Sequence, residues 1–309
     1  MKNKSDAGTY AFGKFIENEK ELERLITQAQ VGIEIEKTIW SGNGLKKGMK
    51  VLDLGCGPGV TSCEFAKIVE TGHVTGVDIS KDLIDVANYQ KEQNQCQNLD
   101  FMVGNAYDLN LQAETFDFSY ARFFLQHLEE PLKVLHNVKD TLKSGGVFCA
   151  IDIDDSWLSL YPAPDAFDSL TEVAAKHQQL NGGDRYVGRK MGAYLHQAGF
   201  SNIQLNIIPI TSQQIGLKNF LDITSRFKLE VVKKDRYEKT KEELDSIYKV
   251  LDNDYAWGAV GLFVVSGIKT LKVYKKTKRN EQQNKHTVRT GCAQYRFFYS
   301  GGFQLSGFT

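Results

Sequence analysis

This 309-residue chain has no CxxC pair, no long apolar run and no excess charge of either sign. Its five cysteines, Cys56, Cys63, Cys96, Cys149 and Cys292, are scattered. That scatter argues against a disulfide framework or a zinc site and reads as small reduced residues. Lys plus Arg and Asp plus Glu number 38 each, so no net field draws the chain to nucleic acid, and no nucleic-acid partner is expected. Met1 to Asp6 are polar with no apolar signal core behind them, and no run of about 18 apolar residues exists. The expectation is therefore a cytoplasmic protein with no membrane span. What is present is apolar material, 41% of residues, enough for one large core or two modest ones.

The strongest local signal is Val51-Leu52-Asp53-Leu54-Gly55-Cys56-Gly57-Pro58-Gly59, an apolar run that ends in an acid and a glycine turn. A helix-compatible segment, Val60 to Val69, follows at once. This is the strand–turn–helix opening of a nucleotide-binding α/β unit, where small residues let the backbone approach a ligand. A dinucleotide fingerprint needs a third glycine at position 60, which is Val60. His73 to Ile79 reads as a second strand tipped by Asp78, placed to face a ribose, and Ile79 beside it can pack on a flat base. Leu99 to Val103 reads as a third strand running into Gly104-Asn105-Ala106. Phe116 to Ala121 gives a fourth strand, followed by Arg122 to Leu128. Pro131 starts a helix through Leu142, closed by Lys143-Ser144-Gly145-Gly146, and Val147 to Ile153 makes a fifth strand.

The Asp-x-Gly-x-Gly-x-Gly pattern resembles motif I of the class I S-adenosylmethionine-dependent methyltransferases. The string Leu142-Lys143-Ser144-Gly145-Gly146 resembles that family's segment before the fifth strand, with Ser144 where proline is usual. The resemblance is close over roughly Met49 to Asp154 and looser to about Ile268. It implies an α/β, three-layer Rossmann-like fold with a seven-stranded sheet in the order 3-2-1-4-5-7-6, N-terminal helices and helical cap insertions. It implies S-adenosyl-L-methionine as cofactor, with the turn of Gly55, Cys56, Gly57 and Gly59 cradling the methionyl portion. Asp53 would hold the loop or engage the cofactor's ammonium, and Asp78 and Ile79 would meet ribose and base. Asn105 and Ala106 would read adenine; Asn replaces the commoner Asp but keeps an acceptor oxygen. Ala121 and Arg122 would lie beside the methionyl portion. Metal-dependent members need an acid where this chain has Ala121, so no metal is expected. No Asn/Asp-Pro-Pro-Tyr-like run follows Phe118, which argues against methylation of nucleic-acid bases.

His127, just beyond the fourth strand, is the candidate general base, against a plainer role as a backbone-bonded residue. Asp152, Asp154 and Asp155 could touch substrate or steady a cation, and Arg185 and Arg189 could orient an anion or pair with local acids. Residues 1–48 read as an N-terminal helical extension in which Tyr10 could close on a ligand. Residues 49–271 read as the methyltransferase domain, with insertions at 155–187, carrying Trp157, and at 211–257, a helical cap. Residues 272–309 read as a basic and then Gly- and aromatic-rich tail. Tyr10, Trp157 and Arg185 are the candidate substrate residues. The resulting expectation is transfer of the sulfonium methyl, by in-line displacement, to an O, N or C nucleophile of a small molecule. The alternatives are a quinone or lipid ring C-methyltransferase and, from another class, a non-catalytic cofactor-binding partner subunit.

Overall fold

β1 (Lys50–Leu54) is buried at every residue after its first, as a strand inside a parallel sheet must be. Val51 joins one core layer, while Leu52 and Leu54 join the other. The computed structural model describes residues 9–10, 12–13, 17–232 and 234–270. The tail expected over 272–309, with Cys292, lies outside the described residues. One helix, α1 (Asn18–Gly42), precedes β1. After β1 come α2 (Val60–Val69), β2 (His73–Asp78), α3 (Lys81–Gln93), β3 (Leu99–Val103) and β4 (Phe116–Arg122). α4 (Pro131–Thr141), β5 (Leu142–Ile153), β6 (Ser159–Tyr161), α5 (Asp165–Leu180), α6 (Met191–Gln197) and β7 (Phe200–Thr211) follow. Short helices α7 (Ser212–Ile215), α8 (Leu217–Leu221) and α9 (Lys228–Val231), then α10 (Tyr237–Tyr248), lead to β8 (Trp257–Lys269).

The sheet runs β3-β2-β1-β4-β5-β8-β7, parallel through β5, with β8 antiparallel to both neighbours. This is the expected order, with its last two numbers each raised by one by a short extra strand. Ala259 pairs with both Ser159 of β6 and Thr211 of β7, so β6 extends the side of β8 that β5 occupies further along. Alternation along β5 separates the two cores: Cys149 and Ile151 face one layer, Phe148 and Ala150 the other.

One local expectation needs correction. α4 ends at Thr141, and the Gly145-Gly146 turn lies within β5. Register jumps there from Phe116↔Leu142 to Phe118↔Val147. A Cβ on Gly146 would sit 2.9 Å from the Lys143 carbonyl oxygen, so the bulge requires glycine. The 155–187 stretch, read only as an insertion, supplies β6 and the four-turn helix α5.

α1 is fastened to the sheet by rings and a buried charge. Trp40 packs 4.4 Å from Phe65 and edge-on to Tyr120 at 5.7 Å between ring centroids. Glu36, fully buried, accepts from Arg122 Nε at 2.6 Å and from the Tyr120 hydroxyl at 2.7 Å. Arg122 Nη2 also donates to the Gln28 carbonyl at 2.8 Å. Removing one partner strands the other charge in a poorly solvated place. Glu36→Ala is therefore expected to lower unfolding stability by about 3 kcal/mol in urea titrations; a loss within about 0.5 kcal/mol would mean the cluster is dispensable.

Candidate active site

A cleft opens where β1, β2 and β4 end, under α1 and the cap, the position ligands take in open α/β sheets. Its floor is the turn after β1. A Cβ on Gly57 (φ +53°) would meet nothing within 4 Å, so this point of the turn faces free space. Gly59 (φ +79°) serves packing instead: a Cβ there would sit 2.6 Å from the Phe101 ring and 2.8 Å from Ala87, and Gly59 does not line the cleft. The Gly55 and Cys56 amides donate to the Val77 carbonyl, at 2.8 and 3.1 Å, which fixes the turn across the tip of β2. Cys56 lines the cleft, and burial pushes its thiol up, so it stays protonated.

Asp78 ends β2 on the same wall. Its Oδ2 accepts from the Gly57 amide and its Oδ1 from the Ser80 amide, each at 2.9 Å. Ser80, not Asp78, caps α3, through its hydroxyl and the Leu83 amide at 3.3 Å. Burial raises the Asp78 carboxyl above its usual range against the pull of those amides. Asp53, also buried, accepts from the Ser62 hydroxyl at 2.5 Å, and burial pushes it up to about 7. The carboxylates of Glu36 and Asp78 push the same way, and Arg122 opposes them. Among the described residues neither Asp53 nor Asp78 forms a salt bridge; Arg122, which acts on Asp53 from a distance, pairs with Glu36. Ile79 is exposed and lines the cleft, as do partly buried Asn105 and buried Ala106. The Asn105 Oδ1 atom already accepts from the Tyr107 amide at 2.9 Å, which leaves it one lone pair. At the Ala121-Arg122 turn the Ala121 side chain lies in the core, so only its backbone could meet a ligand, while Arg122 lines the cleft.

The far end of the cleft is built from α1, the segment after β4 and the two insertions. Tyr10 donates to Glu21 Oε1 at 2.6 Å and lies 5.3 Å from the His127 ring. His127 Nδ1 is 2.9 Å from the Thr9 hydroxyl. Burial, with Arg185 and Arg24 nearby, pushes His127 down to about 3. An imidazole so depressed is neutral at pH 7 and a poor proton acceptor, which counts against its use as a general base. Arg185 is buried and forks onto Asp155 at 2.8 and 2.7 Å, and its Nη1 donates to Gln126 Oε1 at 2.7 Å. Arg189 pairs with Asp154 instead, and the Asp152 carboxylate accepts from the Gln126 amide at 3.1 Å. Trp157 is a correction. It stands edge-on to Phe263 at 5.6 Å, half exposed and off the cleft wall. Glu21, Arg24, Gln126 and Phe227 line the cleft and were not foreseen. Their only sequence trace, Glu21 and Arg24 three residues apart, looks like any surface helix pair.

The glycine turn with open space at Gly57 and two uncompensated carboxylates suits a ligand that brings a cation and hydroxyl donors to this wall. The methyltransferase-domain family matches residues 45–199, half of the chain. The chain belongs to the class I S-adenosylmethionine-dependent methyltransferase family. S-adenosylmethionine is the cofactor of that enzyme family, and the donor set at Asp53, Asp78 and the turn fits it. An uncharacterized methyltransferase of Schizosaccharomyces pombe is 32% identical over 162 residues, covering 50% of this chain and 58% of that one. The chain thus spans a little over half the length of that relative. An O-methyltransferase of Aspergillus nomiae is 30% identical over 168 residues, 54% of this chain and 70% of that one. Phosphoethanolamine N-methyltransferase 2 of Haemonchus contortus, solved with S-adenosyl-L-methionine, shares the fold. It superposes at a TM-score of 0.56 with 15% identity, over 85% of this chain and 60% of that one.

Among the described residues of this methyltransferase, no helix is long and apolar enough to cross a membrane. The depressed His127 has a measurable consequence. The unfolded chain protonates this ring below about pH 6.5 while the folded one does not, so folding stability falls as pH drops from there toward 3. His127→Gln is expected to shrink the difference in urea midpoint between about pH 7.5 and 4.5. An unchanged difference would show that the ring titrates freely.

Proposed function

We propose that this chain transfers the methyl group of S-adenosylmethionine to a small-molecule nucleophile held beneath the cap. The observation that carries the reading is the pairing of open space at Gly57 with two carboxylates on one wall, buried Asp53 and partly buried Asp78, neither of which forms a salt bridge among the described residues. S-adenosylmethionine, when bound, supplies a methyl already activated on a sulfonium, so the protein need not create a leaving group. Asp78 offers acceptor lone pairs to ribose hydroxyls, and Asp53 a carboxylate to the ammonium. Ile79 and Ala106 provide apolar surface for the base. At the other end Ile210, Ile223, Phe227, Val260 and Leu262 give an apolar enclosure that keeps water from the reacting atoms. Holding donor and acceptor in line is then the main task left to the protein.

Calorimetry with S-adenosylhomocysteine tests the reading. Asp78→Ala is expected to weaken binding at least about tenfold, the size of a lost charge-assisted hydrogen bond. Heats indistinguishable between wild type and Asp78→Ala would remove the claim. Asp53 adds a pH signature. Its carboxyl holds its proton up to about pH 7, and the ligand's ammonium needs the ionised form. Affinity should therefore fall about tenfold per pH unit below that point and level off above it. Asp53→Asn should flatten the profile. Labelled S-adenosylmethionine incubated with a low-mass cell extract then separates an enzyme from a non-catalytic partner subunit. Label found only on macromolecules, or on nothing, would sink the small-molecule reading.

A further inference from the structure

We propose that the acceptor is a planar, acidic hydroxyl compound, a phenol or an enol, held as its anion between Arg185 and His127. This rests on the methyltransferase reading and adds to it the class of nucleophile. The cleft is polarised by charge. The wall near the glycine turn carries Asp53 and Asp78, whereas the far end carries the buried cations Arg24 and Arg185, with Lys228 fully buried in the cap. The acids at that end, Glu21 and Asp155, are each spanned by a guanidinium. Arg24 holds Glu21 at 2.8 and 2.7 Å, and Arg185 holds Asp155 at 2.8 and 2.7 Å. Lys228 Nζ donates to the Thr171 hydroxyl at 2.6 Å and has no carboxylate within ion-pair distance among the described residues. Asp168 and Asp155 act on it only from further off.

Arg185 has donors to spare. After Asp155 and Gln126, one N–H on each terminal nitrogen has no partner among the described residues. His127 Nε2 likewise has no partner among the described residues, and the ring lines the cleft. Three nucleophile classes can be weighed against this site. An aliphatic alcohol needs a base, and His127, driven down by burial and two arginines, is too weak. A protonated amine finds no free carboxylate at this end, because Glu21 and Asp155 are already taken by Arg24 and Arg185. An acidic hydroxyl needs no base, because the unused Arg185 N–H groups favour its anion and the proton leaves to bulk water as the anion is seated. The acceptor oxygen then bonds to the methyl carbon as the carbon–sulfur bond breaks, leaving a methyl ether and a neutral thioether. Planarity follows from the rings at this end: Tyr10 beside His127, and Phe227 with the Arg185 guanidinium 4.4 Å over its centroid.

The test uses 7-hydroxycoumarin, whose ionisation changes its absorbance, with 7-aminocoumarin and 7-(hydroxymethyl)coumarin as matched probes. With the protein saturated by S-adenosylhomocysteine, the ionisation midpoint of bound 7-hydroxycoumarin is expected to fall by about one pH unit, a tenfold preference for the anion. With S-adenosylmethionine, the hydroxyl probe alone should be methylated. Arg185→Gln should abolish the midpoint shift while calorimetric binding of S-adenosylhomocysteine persists, and Arg24→Gln should reduce it. A wild-type protein that binds S-adenosylhomocysteine but leaves the midpoint unchanged or raised, or that prefers the amine or the alcohol, overturns the proposal. A protein that does not bind S-adenosylhomocysteine overturns the cofactor reading, and this one with it.

Discussion

The Asp78 carboxylate holds two corners of the sheet in one place. By accepting from the Gly57 and Ser80 amides it ties the turn after β1 to the turn after β2, just where α2 and α3 begin. The Gly55 and Cys56 amides reinforce the link from the other side by donating to the Val77 carbonyl. The cost is a carboxylate deprived of water whose only compensation is backbone dipoles. That imbalance leaves the corner ready for a ligand with hydroxyl donors and a positive charge, so the groups that stiffen the site also prepare it.

Charge separation along the cleft extends the same logic. Arg122, the guanidinium that acts on Asp53, is held by Glu36, and Glu36 is there because α1 lies against the sheet through Trp40, Phe65 and Tyr120. α1 then continues to the other end, where Glu21 and Arg24 form a closed pair beside Phe227. One helix thus holds Arg122 at one end of the cleft and sets a closed Glu21–Arg24 pair at the other.

The parts legible in the sequence are those whose chemistry is local. The Asp53 to Gly59 run, Asp78 at a strand tip and the alternation in Val147 to Ile153 each arise from residues a few positions apart. Strand order was equally legible, displaced only by β6, whose three residues carry too little pattern to be seen. The misreadings arise where a residue type fits a role but the third dimension assigns it elsewhere. Gly59 looks like a ligand glycine and is one of packing, set by Phe101 and Ala87. Trp157 is a large aromatic in an insertion, yet β8 draws it onto Phe263.

The acceptor end was nearly opaque for a different reason. Arg185 was singled out, but its partner Asp155 lies 30 residues away, and Gln126 lies 59 away. No periodicity encodes pairs that form only when the segment before α6 folds back onto the end of β5. His127 carries the chemical consequence. A histidine at that point of the chain suggests a base, and only the burial and the two arginines gathered around it reverse that suggestion. A ring held neutral in this way is a poor proton acceptor, so the proposed acidic hydroxyl acceptor would carry its own means of losing the proton. The local field, more than the residue type, then limits which nucleophiles this cleft can methylate.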